Sequence, residues 1–191
     1  MAEQKRYGMV YDSNKCIGCQ ACSIACRAEN KVPESVYRLQ VWIEGPRGKY
    51  PNLQMDFERK SCVMCDNSPC VTVCPTGASY TNSEGVNLVD EKKCVGCKYC
   101  VTACPYQARF INPKSGAADK CTFCYENRTK QGQKPACVSI CPTGALAFGD
   151  LHDPKSEVRS AMTNKIVVKP KEHLGTKPKV VTIPNWRGGA Q

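Results

Sequence analysis

Hydrophobic residues along this chain fall in short alternating runs rather than in the long stripes of amphipathic helices. Residues 8–11 read as a short strand leading into a cysteine-rich loop. Over 37–43, Tyr, Leu, Val and Ile alternate with Arg, Gln and Trp, which predicts a strand. Residues 53–58 are its return, with Gly45, Pro46, Arg47 and Gly48 as the turn. Residues 79–81 and 86–89 flank Asn82, Ser83, Glu84 and Gly85, a second hairpin, and 109–111 runs into a further turn at 112–116. Helical signals are short: 20–29 and the segments around Cys70, Cys100 and Cys137. No apolar run approaches the ~18 residues of a membrane span; those present are as short as Ile166, Val167 and Val168.

Beyond residue 150 the pattern changes. Over 164–191, Lys165, Lys169, Lys171, Lys177, Lys179 and Arg187 face one acid, Glu172, and Pro170, Pro178 and Pro184 interrupt the segment. This predicts a basic, extended C-terminal arm (151–191) with little core of its own. The whole reads as α+β: small sheets, short helices and an arm.

Composition makes that reading incomplete. Only 7% of the 191 residues are aromatic, thin material for a core of this length, while sixteen are cysteine. The cysteines form four quartets with none left over. Cys16, Cys19, Cys22 and Cys26 are spaced C-x2-C-x2-C-x3-C; Cys62, Cys65, Cys70 and Cys74 C-x2-C-x4-C-x3-C; Cys94, Cys97, Cys100 and Cys104 repeat the first spacing; Cys121, Cys124, Cys137 and Cys141 are C-x2-C-x12-C-x3-C. Pro75, Pro105 and Pro142 follow the last cysteine of three quartets. Three thiolates from one tight loop can hold three irons of a cubane, and the fourth cysteine, carried off on a short helix, ligates the neighbouring cluster, as in two-cluster bacterial ferredoxins. Gly18 and Gly96 sit in the tight loops, where a side chain is expected to crowd the inorganic core.

The short gap from Cys74 to Cys94 pairs the second and third quartets as an inserted ferredoxin unit, residues 57–111; the first and fourth pair around it, residues 1–56 with 112–150. Two interleaved ferredoxin-like units with exchanged fourth ligands give four expected 4Fe–4S clusters: Cys16, Cys19, Cys22 and Cys141; Cys26, Cys121, Cys124 and Cys137; Cys62, Cys65, Cys70 and Cys104; Cys74, Cys94, Cys97 and Cys100. Local Lys and Arg are expected to tune each cluster separately.

Other readings fit less well. Disulfides use an even cysteine count but have no need of three cysteines within seven residues; zinc knuckles need only paired C-x2-C. The net charge of +10 suggests nucleic acid, yet four oxidised clusters at roughly −2 each leave the holoprotein near about +2, so no nucleic-acid partner is expected. His152 and His173 read as exposed loop residues, Trp42 and Trp186 as packing or interface residues, and the basic arm as a docking element more than a lipid-headgroup site. No nucleophile–base pair, carboxylate pair or phosphate loop points to a catalytic site. Cys16 precedes any apolar leader and Lys5-Arg6 is not a twin-arginine pair, so export is expected to depend on a signal-bearing partner.

The quartets, together with V-Y-R-L-Q-V-W at 36–42, C-P-Y-Q-A-R-F at 104–110, P-A-C-V-S-I-C-P-T-G-A at 135–145, F-G-D at 148–150 and L-G-T-K-P-K at 174–179, make the chain similar to the four-cluster iron–sulfur subunits of molybdopterin-dependent respiratory oxidoreductases. Within these it resembles most the electron-transfer subunits of polysulfide and thiosulfate reductases. The resemblance implies a non-catalytic relay between a molybdopterin-containing catalytic subunit and a quinone-interacting integral membrane subunit. It places the Cys94-Cys97-Cys100-Cys74 cluster on the membrane side and the Cys16-Cys19-Cys22-Cys141 cluster toward the catalytic subunit. It implies the periplasmic face of the inner membrane, with the cytoplasm as the alternative. Some relatives replace a ligand of the third quartet and carry a 3Fe–4S cluster; all four are cysteine here. The alternatives are a related nitrite, dimethyl sulfoxide or formate system, or a free polyferredoxin.

Overall fold

The computed structural model describes residues 4–185. Trp186, Arg187 and the terminal Gly188, Gly189, Ala190 and Gln191, assigned above to the arm, lie outside the described residues. In chain order the elements are β1 (Tyr7–Asp12), α1 (Ala21–Asn30), β2 (Leu39–Lys49), β3 (Asn52–Ser61), α2 (Pro69–Thr72), β4 (Ser79–Thr81), β5 (Asn87–Val89), α3 (Tyr99–Thr102), β6 (Phe110–Ile111), β7 (Ala118–Asp119), α4 (Ala136–Ser139), β8 (Leu146–Asp150), α5 (Glu157–Met162) and β9 (Val180–Ile183).

β1 lies at the centre of a three-stranded sheet, antiparallel to β8 (Met9 opposite Phe148) and parallel to β9 (Val10 opposite Val181). All six of its residues are buried, which is why it reads as a continuous apolar run. Alternation then divides its side chains. Tyr7, Met9 and Tyr11 join one apolar cluster with Phe123, Phe148 and Leu39, where Tyr7 stacks on Phe148 at 5.2 Å. Val10 points the other way, into a second cluster with Val158 of α5, Val181 and Ile183. The larger cluster also takes in Cys62, Val63, Met64, Val86 and Leu88, so residues of both expected ferredoxin units share it.

Three two-stranded ribbons complete the strands: β2–β3, β4–β5 and β6–β7. α1 packs on α4, and α2 on α3; α1 carries Cys26, while Cys74, Cys104 and Cys141 follow two residues after α2, α3 and α4. No helix among the described residues is long and apolar enough to cross a membrane.

Two expectations are corrected. β2 does not turn at 45–48; it runs on to Lys49, and the chain reverses at Tyr50 and Pro51. Gly45 and Pro46 instead occupy a bulge where the register shifts between Glu44 and Arg47, a place glycine suits because its φ of 122° is closed to other residues. The C-terminal segment is also not an arm without core. Val180, Val181 and Ile183 are buried in the central sheet. Just upstream, the chain straps the Cys62–Cys65 loop: the Lys179 and Val180 N–H groups donate to the Val63 carbonyl at 3.0 Å, and Asp66 N–H donates to the Lys177 carbonyl at 3.0 Å. The Lys179 ammonium donates to Asp66 at 2.7 Å. The β-branched run Val180-Val181-Thr182-Ile183 carries this strand; surrounding lysines and prolines concealed it.

Candidate metal centres

The first C-x2-C step of each quartet turns the same way. Its second intervening residue takes a left-handed backbone: Gly18 (φ 67°), Met64 (φ 52°), Gly96 (φ 67°) and Phe123 (φ 57°). In the next steps, Cys19–Cys22 and Cys97–Cys100, the first intervening residue does so instead, Gln20 (φ 61°) and Lys98 (φ 65°). The turn aims both flanking thiols to one side. Glycine adopts it freely; Met64 and Phe123 do so at a cost of about 1–3 kcal/mol each, offset by burial, since both are 0% exposed. The expected reason for glycine is revised accordingly. A Cβ on Gly18 would strike the Phe57 ring, and one on Gly96 would lie 2.9 Å from the Gly116 carbonyl oxygen, so the protein's own packing already requires glycine there.

The loops and one-turn helices gather cysteines from distant parts of the chain. Cys16, Cys19, Cys22 and Cys141 line one cavity. Cys26, Cys121, Cys124 and Cys137 line a second. Cys74, Cys94, Cys97 and Cys100 line a third. Cys62, Cys65, Cys70 and Cys104 are electrostatic neighbours. All-thiol groups of four, from a C-x2-C loop and a distant cysteine, are the donor set of a 4Fe–4S core.

Electrostatics agrees with that fit. Burial, then neighbouring thiolates, pushes the Cys65 thiol up to about 12 and drives Cys26 higher still. Burial pushes Cys137 to about 12, with Arg59 opposing and Cys121 and Cys124 adding to the rise. Four such thiols resist ionising together, and a cationic iron core is what would draw their protons off. Cys74 and Cys141 are lowered instead: burial raises each, but nearby N–H and hydroxyl donors outweigh it. The Ser79 N–H reaches Cys74 Sγ at 3.4 Å, and the Thr76 and Thr143 hydroxyls lie 3.7 Å from Cys74 and Cys141 Sγ. Ala118 N–H donates to Cys94 Sγ at 3.3 Å, and Asn30 Nδ2 donates to Cys124 Sγ at 3.6 Å.

The two pairs of sites differ in exposure. Cys19 and Cys97 are exposed, and Cys26, Cys62, Cys65, Cys70, Cys100, Cys121, Cys124 and Cys137 are buried, so the Cys16 and Cys74 groups each have one exposed thiol and the other two groups have none. Cations beside the cysteine groups went unnoticed in the sequence: the half-buried Arg59 lines the Cys16 and Cys26 cavities, the buried Arg109 lines the Cys74 cavity, and Lys120 is fully buried. Arg59 follows strand alternation like any surface residue, so no local signal marks it. His152 and His173 are exposed, and Trp42 lies under the Lys60 ammonium at 5.1 Å on the β2–β3 ribbon.

Comparison with known proteins agrees with the site. Two models described as 4Fe–4S dicluster domain match residues 53–151 and 15–78. The B subunit of the polysulfide reductase of Wolinella succinogenes is 56% identical over 189 residues, 98% of each protein. Protein NrfC of Escherichia coli K12 is 51% identical, covering 94% of this chain and 81% of its own. The thiosulfate reductase electron transfer subunit PhsB of Salmonella typhi is 49% identical, covering 87% and 86%. The cofactors are thus four 4Fe–4S clusters, two per dicluster domain, and the disulfide and zinc readings fall away. The gathered cysteines and the near full-length likeness lead to one conclusion: the protein belongs to the ferredoxin-like family of four-cluster 4Fe–4S electron-transfer subunits that includes the polysulfide and thiosulfate reductase proteins.

Proposed function

We propose that this chain relays single electrons between a quinone-interacting integral membrane subunit and a molybdopterin-containing catalytic subunit of a polysulfide or thiosulfate reductase. The names of its relatives support the assignment. The observation that carries it is the gathering of sixteen thiols in one small body, the inner two groups without an exposed thiol and the outer two reaching the surface at Cys19 and Cys97.

The ligand sets proposed are Cys16, Cys19, Cys22 with Cys141; Cys26 with Cys121, Cys124, Cys137; Cys62, Cys65, Cys70 with Cys104; and Cys74 with Cys94, Cys97, Cys100. Residues 1–56 with 112–150 would form one ferredoxin unit and 57–111 the other, clasped by the C-terminal strand. A bound 4Fe–4S cluster supplies a centre that takes up and releases one electron. The protein does the rest. Its thiols fix each site, and N–H groups such as those of Ser79 and Ala118 donate to sulfur and favour added negative charge. The buried core around Met64 and Phe123 keeps water from the inner sites.

The outer loops end in apolar side chains held out in solvent, Ile17 (59% exposed) and Val95 (69%), which suit them to dock partners. The Cys94 loop would face the membrane subunit and the Cys16 loop the catalytic subunit, on the periplasmic face of the inner membrane. Purifying tagged protein from anaerobic cells tests this: a molybdopterin protein and a multi-span membrane protein should co-elute in fixed ratio. Recovery of the brown protein alone, with neither partner, would favour a free polyferredoxin.

A further inference from the structure

Three cations, Lys120 and Arg109 buried and Arg59 half-buried with its Nε and Nη2 enclosed, have no carboxylate partner among the described residues, and each adjoins two cysteine groups. The Arg59 side chain lines both the Cys16-Cys19-Cys22-Cys141 cavity and the Cys26-Cys121-Cys124-Cys137 cavity, attracting the thiolates of Cys22 and Cys137. Its Nε and Nη2 are buried and make no hydrogen bond. The Lys120 ammonium, at 0% exposure, donates to the Cys121 carbonyl at 2.8 Å and to the Asn87 carbonyl. The thiolates of Cys62, Cys121 and Cys70 attract it, and Arg109 repels it. Arg109 is 4% exposed. It donates through Nη2 to Ser79 Oγ at 2.7 Å, lines the cavity of Cys74, Cys94, Cys97 and Cys100, and is attracted by Cys70, Cys100 and Cys62.

A buried guanidinium with unsatisfied N–H groups is costly unless an anion lies beside it. The anions available here are the quartets and whatever they hold. Arg38 shows the alternative: it attracts Cys26, but its charge is already matched by Asp119 at 2.7 Å, and it serves one quartet only. The arrangement therefore alternates: the Cys16 quartet, Arg59, the Cys26 quartet, Lys120, the Cys62 quartet, Arg109, the Cys74 quartet.

We propose that Arg59, Lys120 and Arg109 are shared counter-charges, one in each gap of the relay, each raising the reduction potential of the two clusters it separates. This rests on the four-cluster reading above and goes beyond it, because tuning was expected cluster by cluster. A charge common to two neighbours moves both the same way. It leaves the driving force between those two nearly unchanged and offsets the pair against the rest. These are positioning charges; the electron itself resides on the clusters.

The test is an EPR-monitored redox titration of the holoprotein carrying Arg59→Gln, Lys120→Met or Arg109→Gln, with Arg59→Lys, Lys120→Arg and Arg109→Lys as charge-keeping controls. Each neutral variant should change the reduction equilibrium of two centres about tenfold or more, a fall of about 59 mV for a one-electron couple. The pairs should interlock: the Arg59 and Arg109 variants move different pairs with no member in common, and Lys120→Met moves one centre from each. The charge-keeping variants should restore the midpoints. Shifts in one centre only, in all four together, or in none would overturn the proposal. So would a neutral variant that loses iron when its charge-keeping counterpart does too, because the residue would then be structural. Fewer than four centres in the unaltered protein would instead remove the four-cluster reading on which the proposal rests, and the proposal with it.

Discussion

The inner and outer sites use one loop geometry made from different residues. At the outer sites the left-handed position is Gly18 or Gly96, and the preceding residue, Ile17 or Val95, stands in solvent. At the inner sites the same position is Met64 or Phe123, strained in backbone but sealed in the largest apolar cluster. The outer loops put glycine at this turn, take left-handed strain only at the polar Gln20 and Lys98 that follow, and place their apolar side chain on the surface. The inner loops accept strain and use the side chain as core. The difference shows that the protein forms its core around its inner sites, while the outer sites are presented to neighbours.

Removing ligands should expose that contrast most sharply. Cys137→Ala sits in the inner core beside Phe123 and is expected to lose both clusters of its unit and much of the fold. Cys97→Ala, at the surface, should lose one cluster and leave about twelve irons per chain. Iron analysis and circular dichroism distinguish them; equal losses would erase the inner–outer distinction.

Next in size are the turn residues. Phe123→Gly relieves the left-handed backbone but empties the core, and its net cost should be about 3–5 kcal/mol less the strain relieved. Gly96→Ala adds strain of about 1 kcal/mol or more and pushes against the Gly116 carbonyl. Thermal unfolding of the two variants should therefore shift further for Phe123→Gly.

Lys179→Met should come third. It cuts the ammonium contacts to Asp66 and to the Gly85 carbonyl beside the Cys62 loop, and leaves a half-buried carboxylate with Arg6 alone. We expect a loss of about 1–3 kcal/mol, read as faster hydrogen exchange in the inner Cys62–Cys65 loop with the outer Cys94 loop unchanged.

The smallest effect belongs to Asp12, which closes β1 just before the outer Cys16 loop. Burial raises its pKa, but the Lys165 ammonium at 2.8 Å and Asn14 outweigh this and hold the carboxyl below its usual value. Because the folded value is depressed, its stabilisation is present above the unfolded pKa of about 3.9 and lost as pH falls through the folded one. Asp12→Asn should thus be destabilising at pH 7 and converge on the parent protein in acid, as measured by denaturant unfolding at the two pH values.

The cysteine spacing made the 4Fe–4S cofactors legible, since three thiols in one tight loop suit a cubane. The β4–β5 hairpin was equally plain from Asn82 to Gly85. Met64 and Phe123 were not, because nothing in an apolar residue announces a positive φ; only alignment with Gly18 and Gly96 within the internal repeat could have pointed to them. β9 was obscured because local charge and proline content dominate a short strand whose burial depends on β1, some 170 residues away. Arg59, Lys120 and Arg109 escaped because their neighbours come from distant cysteines.

The central claim is that the sixteen cysteines hold four cubanes, and iron, acid-labile sulfide and zinc analysis of anaerobically purified protein tests it most directly. About sixteen iron and sixteen sulfide per chain with negligible zinc is the predicted result; about four zinc per chain without sulfide would contradict it.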